Sequence, residues 1–341
     1  MNVAALANDA WRRTRAAGGS GPSVSGVPPG GTVPSRAGAA RRSRLTPATV
    51  LGAIPPPALI LAGIISVQVG AGLAKQLFAV VPPAAVTLLR LWSSAIVMLV
   101  PSTRAVWRAL RPGHALAWRS LGVAALFGLA LATMNFAIYQ SFARIPLGVA
   151  VTIEFLGPLC VAIAASRRLV DLAWVVLAGG GVVLLTGGGG RGGHITVAGL
   201  LFALVAAACW AAYILLSAAT GRRFPGSTGL TIAMTVGALV ITPAGAAAGG
   251  TALLRPEVLA IGAGIGLLSS VIPYSLELEA LRRMPPRVFS ILMSLEPAVA
   301  ALVGLALLGQ VLAAREWFAI GCVMAACIGA TRGTATASPE A

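Results

Sequence analysis

Charged residues are scarce in this chain of 341 residues: Asp, Glu, Lys and Arg make up 10% of it, against 57% hydrophobic residues. A soluble globular domain carries roughly 25% charged residues, because its surface has to be hydrated. The composition therefore excludes a soluble fold. It predicts an all-α polytopic membrane protein embedded in a lipid bilayer.

Acidic residues and histidines are rarer still, with nine Asp and Glu and two His. Beyond the N-terminal tail Asp171 is the only aspartate, and the topology derived below separates His114 from His194 by the membrane. No pair of the four cysteines has metal-site spacing. An intramembrane enzyme needs a nucleophile with its base, a pair of metal ligands or paired aspartates at one depth. We therefore expect neither an enzyme nor a metal site.

Nucleotide motifs are missing or out of context. Residues 188–193 satisfy G-x-G-x-x-G, but they follow an apolar segment rather than a strand, and no G-x-x-x-x-G-K-[ST] occurs. The net charge of +16 would suggest nucleic acid. The arginines, however, lie between apolar segments and in the first 44 residues, not on a folded basic face. We expect no cofactor and no nucleic-acid partner.

Long apolar segments, in contrast, fill most of the chain. Ten segments of about 17–25 residues follow from Pro57 onward, each long enough to cross a ~30 Å hydrocarbon core as a helix. Continuous apolar runs exclude the alternating pattern of a barrel. The predicted spans are 57–79, 83–100, 116–141, 146–165, 169–187, 196–217, 227–248, 257–279, 287–308 and 313–331. Residues 1–50 are rich in Gly, Pro, Ser, Ala and Arg and are predicted to be a disordered tail. Residues 332–341 are predicted to form a short tail.

The arginines are distributed asymmetrically about these ten spans. Nineteen lie in the tails and in the loops of one side, whereas the loops of the other side hold four, Arg144, Arg191, Arg255 and Arg315. Cytoplasmic loops carry the excess of positive charge. Both termini are therefore predicted to be cytoplasmic.

An internal repeat relates the two halves of the chain. Arg144-x-Pro146 recurs as Arg283-x-Pro285, and Pro158 recurs as Pro297, both 139 residues later. The repeating unit is five helices, 57–187 and then 196–331, and an odd number of crossings inverts the second unit. Inverted repeats are typical of secondary transporters, whose substrate site lies between the halves. Gly262-x-x-x-Gly266 indicates close packing within the bundle rather than dimerisation, so we expect a monomer.

Ionisable and amide side chains inside the spans are the first candidates for a site, because each is costly in lipid unless it is paired or hydrated. Counted along their helices at 1.5 Å per residue, Glu154, Asn135, Lys75 and Arg90 share one depth in the outer half. They are predicted to line one substrate cavity. The alternative is separate structural pairing, with Lys75 and Arg90 snorkelling to the interface.

A second carboxylate, Glu296, is predicted toward the inner half and precedes Pro297, which disfavours ideal helix there. This pair is the candidate for proton coupling or gating. Glu277 and Glu279, beside Arg282 and Arg283, indicate interfacial ion pairs. Side chains that could line a path complete the set, with core packing as the alternative for the aromatic ones: Gln68, Tyr139, Trp210, Tyr213 and Tyr274.

The motifs around these residues resemble a known family. They are Ala74-Lys75-Gln76-Leu77-Phe78, Leu89-Arg90-Leu91, Met134-Asn135-Phe136, Pro273-Tyr274-Ser275-Leu276-Glu277, Leu292-Met293-Ser294-Leu295-Glu296-Pro297-Ala298 and a Pro-Leu-Gly-x-Ala-x-x-x-Glu-Phe-x-Gly-Pro-Leu string at residues 146–159. Together they resemble the threonine/homoserine exporter branch of the drug/metabolite transporter (EamA-type) superfamily. The likeness covers residues 57–331 and leaves out the tails, and the long Arg-rich N-terminal tail departs from the family's compact pattern.

This resemblance implies ten helices in two inverted halves around a central cavity, in the bacterial inner membrane. It also implies a secondary active exporter of small neutral amino acids or related metabolites, which we expect to be driven by protons. Lys75 or Arg90 is predicted to face the substrate carboxylate, with Glu154 and Asn135 facing the ammonium. The alternatives are an exporter of a different small-molecule class and, from another class, an intramembrane enzyme.

The predicted topology can be tested with reporter fusions at Gly192 and after Ala341. Because an odd number of spans separates the two sites, the reporters should indicate opposite sides of the membrane. Reporters on the same side would contradict the ten-helix topology.

Overall fold

The computed structural model describes residues 54–110, 118–165, 170–186 and 195–333, and these residues are helical throughout apart from short turns. The predicted tail 1–50, and all but the first two residues of the tail 332–341, lie outside this part of the chain. An all-helical polytopic membrane fold is confirmed.

Thirteen α-helices are formed by the described residues. Several are halves of one span, separated by a tight turn or by a short stretch of 3₁₀ or π-helix. They are α1 Pro56–Leu77, α2 Pro83–Leu110, α3 Trp118–Phe142, α4 Leu147–Glu154, α5 Leu156–Ala164, α6 Val170–Thr186, α7 Val197–Gly221, α8 Thr228–Gly249, α9 Pro256–Gly266, α10 Ile272–Arg283, α11 Pro286–Met293, α12 Glu296–Leu308 and α13 Ala314–Gly333.

Eight helical segments in the described residues are long and apolar enough to cross a membrane. They are α1, α2, α3, α4 with α5, α7, α8 with the turn after it, α9 with α10, and α11 with α12. The shorter apolar helix α6 and the 20-residue α13 occupy the fifth and tenth predicted spans. A helix thus lies at each of the ten predicted positions, and ten crossings remain a prediction.

Two of the spans are interrupted at corresponding places. The first interruption follows Glu154, where Phe155 has φ −63° and ψ −13°, and the second precedes Glu296, where Leu295 has φ −77° and ψ −12°. Pro158 and Pro297 explain both, because a proline has no N–H to give to the carbonyl one turn earlier. Each interruption places a glutamate at a helix terminus inside the bundle. Glu154 is the last residue of α4, and Glu296 is the first residue of α12.

The span of α9 and α10 is interrupted differently, by a π-helical turn at Leu267–Val271 ahead of Pro273. The turn leaves carbonyls without their usual helical partners, and side chains from α1 and α2 take two of them. Ser66 Oγ donates to the Leu268 carbonyl at 2.7 Å, and Arg90 Nη2 to the Ser269 carbonyl at 3.5 Å. Single π turns inside helices are frequent at functional sites.

Helices of the first half pack mainly against helices of the second. α3 lies along α7 and α8, while α1 lies along α10 and α12. Three further contacts join a helix to its counterpart in the predicted repeat: α2 with α8, α4 with α12, and α6 with α13. A two-fold relation between the halves would produce this pairing, although the inverted repeat and its domain boundaries stay predictions.

Small residues allow these crossings to be close. A methyl group built on Gly148 of α4 would lie 2.7 Å from the Ala301 methyl of α12. Gly262 and Gly266 face α2 in the same way, against Leu89 and Ser93. The Gly-x-x-x-Gly motif therefore packs within the bundle, as its sequence predicted.

Candidate functional site

A cavity of about 270 Å³ lies where the two halves meet. Helices α1 to α4 contribute to its wall from the first half, and α7, α8, the π turn, α10, α11 and α12 from the second. Its polar or amphipathic lining residues are Gln68, Arg90, Ser94, Asn135, Glu154, Trp210, Tyr213, Ser269, Ser270, Tyr274, Glu277 and Glu296.

Seven of the ten residues predicted for the site line this cavity: Gln68, Arg90, Asn135, Glu154, Trp210, Tyr274 and Glu296. Glu154 and Glu296, expected in different halves of the membrane, border the same space. The other three, Lys75, Tyr139 and Pro297, are not among its lining residues. The structure gives each of them a supporting position instead.

Arg90 is the cationic side chain of the lining, and Tyr139 supports it from behind. The guanidinium carbon lies 5.3 Å from the centre of the Tyr139 ring, and Nη1 donates to the Tyr139 hydroxyl at 3.3 Å. Tyr139 is completely buried. Arg90 Nε is buried without a hydrogen-bond partner among the described residues. The guanidinium is thus oriented by an aromatic face, and part of its hydrogen-bonding capacity is unused.

The position of Lys75 differs from the prediction that this residue or Arg90 faces the substrate carboxylate. Its Nζ donates to the Ile145 carbonyl at 2.8 Å, in the turn between α3 and α4. Ile145 is 2% exposed and precedes Pro146, the N-cap of α4, so no helical N–H reaches this carbonyl. The ammonium satisfies a backbone group that would otherwise be orphaned, which fixes the end of α1 to the start of α4.

Glu296 is held by an amide from the other half of the chain. Gln68 Nε2 donates to Glu296 Oε1 at 2.9 Å, and both residues are buried. Pro297 follows Glu296 in the first turn of α12 and is buried beside it. Its place in the site is therefore to shape the helix that presents Glu296.

Glu154 and Asn135 approach the cavity from α4 and α3. Asn135 Nδ2 donates to the Leu131 carbonyl of its own helix at 2.8 Å. Glu154 forms neither an ion pair nor a hydrogen bond with any residue of the described chain. In this part of the chain, no group of three or more His, Cys, Asp or Glu side chains is placed to hold a metal ion.

Glu277 is a cavity residue that the sequence interpretation assigned to the interface. The arginines that follow it pair with Glu279 instead: Arg283 Nε and Arg282 Nη1 lie 3.4 Å and 3.6 Å from its carboxylate oxygens. The spacing of Glu277 and Glu279 along the helix is the sequence signal that could have distinguished the cavity residue from the interfacial one. Glu277 lies three residues after Tyr274 and so shares its face, whereas Glu279 lies about 200° away from Glu277. Ser269 and Ser270 of the π turn gave no signal of their own.

Comparison with known proteins identifies the family of this chain. The model of the EamA-like transporter family matches residues 197–332. The threonine/homoserine exporter RhtA of Escherichia coli (strain K12) is 39% identical over 277 residues, which are 81% of this chain and 91% of that exporter. The chain belongs to the EamA-like transporter family.

Other relatives agree with that membership. RhtA of Salmonella typhimurium (strain LT2) is 38% identical over the same shares of both chains. The uncharacterized transporter YwfM of Bacillus subtilis (strain 168) is 30% identical over 38% of this chain and 44% of its own. One solved crystal structure, 18% identical, superposes with a TM-score of 0.50 over 83% of this chain and 99% of that one, a likeness of fold alone.

These relatives confirm the resemblance to the threonine/homoserine exporter branch. They also mark this EamA-family protein as a transporter and not an enzyme.

The supporting role of Lys75 predicts the outcome of Lys75→Met. Removing the ammonium leaves the buried Ile145 carbonyl unpaired, which costs about 1–3 kcal/mol. The purified variant should have a lower melting temperature in detergent than the unmodified protein, while still transporting substrate. Gln76→Met is the matched control, because the Gln76 amide donates to the Leu307 carbonyl at an exposed position. Equal melting temperatures for both variants would contradict this role.

Proposed function

We propose that this EamA-family protein exports small neutral amino acids, threonine and homoserine among them, across the bacterial inner membrane as a monomer with both termini in the cytoplasm. The observation that carries this proposal is the cavity between the two halves, which is lined by one guanidinium and three carboxylates. The names of the relatives at 38–39% identity support the substrate class.

A zwitterion fits the charges of this cavity. Arg90 can bind the substrate carboxylate, because its Nε–H has no acceptor among the described residues and hydrogen bonds between a guanidinium and a carboxylate are strong. Glu154 and Asn135 offer acceptor oxygens to the ammonium from another wall. Because Glu154 forms no hydrogen bond and no ion pair within the described chain, the substrate ammonium would be its direct partner.

The size of the cavity favours a small substrate. Pockets for drug-sized ligands span about 300–1,000 Å³, and this cavity, at about 270 Å³, falls just below that range. Met134, Ile138, Val151 and Met234 line the remaining wall, which suits a short side chain. We therefore favour a small neutral amino acid over a bulky drug.

Protons are the proposed driving force, with Glu296 as the group that carries them. A charged carboxylate is costly away from water, and protonation removes that charge. Once neutral, Glu296 could pass between packed helices as α11 and α12 move against the first half. The interruption at Ser294 and Leu295 gives this motion a hinge.

Transport itself can be tested in everted inner-membrane vesicles that are incubated with labelled threonine or homoserine. In these vesicles, export is measured as accumulation of label inside. We expect accumulation that depends on an imposed pH gradient and disappears when the gradient is collapsed. Valine and a cationic amino acid measure selectivity in the same vesicles. Absence of transport of every amino acid would contradict the proposed function.

Glu154→Gln tests the substrate site. The substitution keeps the volume and much of the hydrogen bonding but removes the charge that faces the ammonium. Charge-assisted hydrogen bonds contribute about 1.5–3 kcal/mol, so we expect threonine transport at subsaturating substrate to fall by about 10–100-fold with normal expression. Glu257→Gln, at an exposed position in the first turn of α9, is the control and should transport normally. Full transport by Glu154→Gln would show that this carboxylate is dispensable.

Glu296→Gln tests the coupling. A permanently neutral side chain mimics the protonated state, so the variant should still exchange labelled threonine across the membrane. It should not accumulate threonine when a pH gradient is imposed. The measurement compares both modes in the same proteoliposomes. Retained uphill, pH-driven transport would exclude Glu296 as the carrier and direct the search to Glu154.

A further inference from the structure

A corner of the bundle, apart from the cavity, carries arginines and no acids. It is formed where α2 ends, where α3 begins and where residues 222–227 join α7 to α8. The arginines of these segments are all exposed, and they are Arg104, Arg108, Arg119, Arg222 and Arg223. The sequence has no Asp or Glu in α2, in α3 or between the start of α7 and the end of α8. We call this surface the arginine corner.

Apolar packing holds the segments of the arginine corner together. Phe224, from the turn between α7 and α8, is 3% exposed and is buried in one cluster with Ala124 of α3. Val106 of α2 packs against the same cluster. The hydroxyl oxygens of Ser102 in α2 and Ser227 before α8 are hydrogen-bonded at 3.3 Å. The arginines flank these packed residues in sequence, so they share one end of the bundle.

The length of α2 places this end at the surface of the bilayer. Its 28 residues extend about 42 Å, whereas the hydrocarbon core is ~30 Å thick. The last turns of α2, which include Arg104 and Arg108, therefore lie at the level of the lipid headgroups. Trp107 and Trp118, at the same end, are 58% and 89% exposed. Tryptophan is enriched at this interface.

The guanidinium groups of the corner are engaged only in part. Arg108 Nε donates to the Arg104 carbonyl at 3.2 Å, and Arg223 Nη1 donates to the Ala219 carbonyl at 2.7 Å. A guanidinium has five N–H donors, so most of them are left for a ligand. The ion pairs of the described chain both use Glu279 of α10, and neither includes an arginine of this corner. Like charges held together repel one another, which favours an anionic partner.

We propose that the arginine corner binds the headgroup of an anionic phospholipid. Guanidinium groups form two-pronged hydrogen bonds with phosphate, and basic clusters just outside a membrane helix attract anionic lipids. The exposed tryptophans lie where the acyl chains of such a lipid begin. A soluble phosphate would match the charge but would leave these tryptophans without an apolar neighbour. The inference does not depend on which substrate the protein transports.

Topology alone would also put arginines here, because cytoplasmic loops carry an excess of positive charge. That rule concerns insertion and requires no bound lipid. The turn between α10 and α11, predicted to lie on the same side, shows how such charges can be satisfied internally. There, Arg282 and Arg283 pair with Glu279, and Arg283 Nη2 donates to the Ile54 carbonyl at 2.8 Å. No described acid does the same for the arginine corner.

The test reconstitutes the full chain in phosphatidylcholine vesicles that contain a small fraction of a brominated lipid, which quenches tryptophan fluorescence. Brominated phosphatidylglycerol should quench more than brominated phosphatidylcholine at the same mole fraction, because it would collect beside Trp107 and Trp118. The double variant Arg104→Gln/Arg108→Gln should lower the apparent affinity for the anionic lipid by about tenfold. Arg222→Gln/Arg223→Gln, on the neighbouring turn, should do so independently.

The matched control is Arg255→Gln/Arg287→Gln. It removes the same amount of charge at exposed positions outside the corner, before α9 and in the first turn of α11. Its excess quenching by the anionic lipid should equal that of the unmodified protein.

Thermal unfolding in detergent gives a second measurement, which requires only the unmodified protein. Added phosphatidylglycerol should raise the melting temperature more than added phosphatidylcholine does, because an anionic headgroup relieves the repulsion among the arginines. The difference between the two lipids should become smaller at high salt, which screens exposed charges. Equal melting temperatures with both lipids would contradict a stabilising site.

Three results of the quenching experiment would overturn the proposal. Equal quenching by both brominated lipids in the unmodified protein would show that no anionic headgroup is preferred. An equal loss of affinity in the control variant would show that net charge, not this corner, attracts the lipid. Displacement of the brominated lipid by sodium phosphate at constant ionic strength would assign the corner to a soluble phosphate instead.

Discussion

Inside a bilayer, every polar group has to find its partner within the protein, and this requirement governs the structure. Prolines at 158, 273 and 297 each remove an N–H from a span, and turns between spans leave further carbonyls. Side chains of α1 and α2 meet several of these needs: Ser66 and Arg90 at the π turn, and Lys75 at Ile145. These three side chains of the first half therefore stabilise irregular backbone.

The same requirement explains why the cavity lies where the halves meet. Irregular backbone is tolerated in a membrane where it is buried in protein or lines a cavity. The interruptions next to Glu154 and Glu296 and the π turn at Leu267–Val271 all border this space. They bring acids and carbonyls to one place, and close packing such as that of Gly148 against Ala301 keeps the surrounding helices in register.

Charge sets the chemistry that this space can support. Arg90 is the guanidinium of the lining, and Glu154, Glu277 and Glu296 are its acids, so a net negative cavity is the expected state unless protons or a cationic group enter it. A buried excess of charge is unfavourable. Binding of an ammonium group and uptake of a proton would both relieve it, which is the physical link between substrate and coupling in the proposed function.

The sequence by itself determined the membrane class, the positions of the helices and the family, because span length, hydropathy and motif strings are local properties of the chain. It also placed most of the polar and amphipathic cavity residues, since an ionisable or amide group within an apolar span is costly unless it is paired or hydrated. Tertiary structure decided the rest. Lys75 and Glu277 are both ionisable residues near the end of a span, but Lys75 donates to the carbonyl of a distant turn whereas Glu277 lines the cavity. Only the packing of helices distant in sequence determines which polar side chain finds a protein partner and which is left facing the cavity.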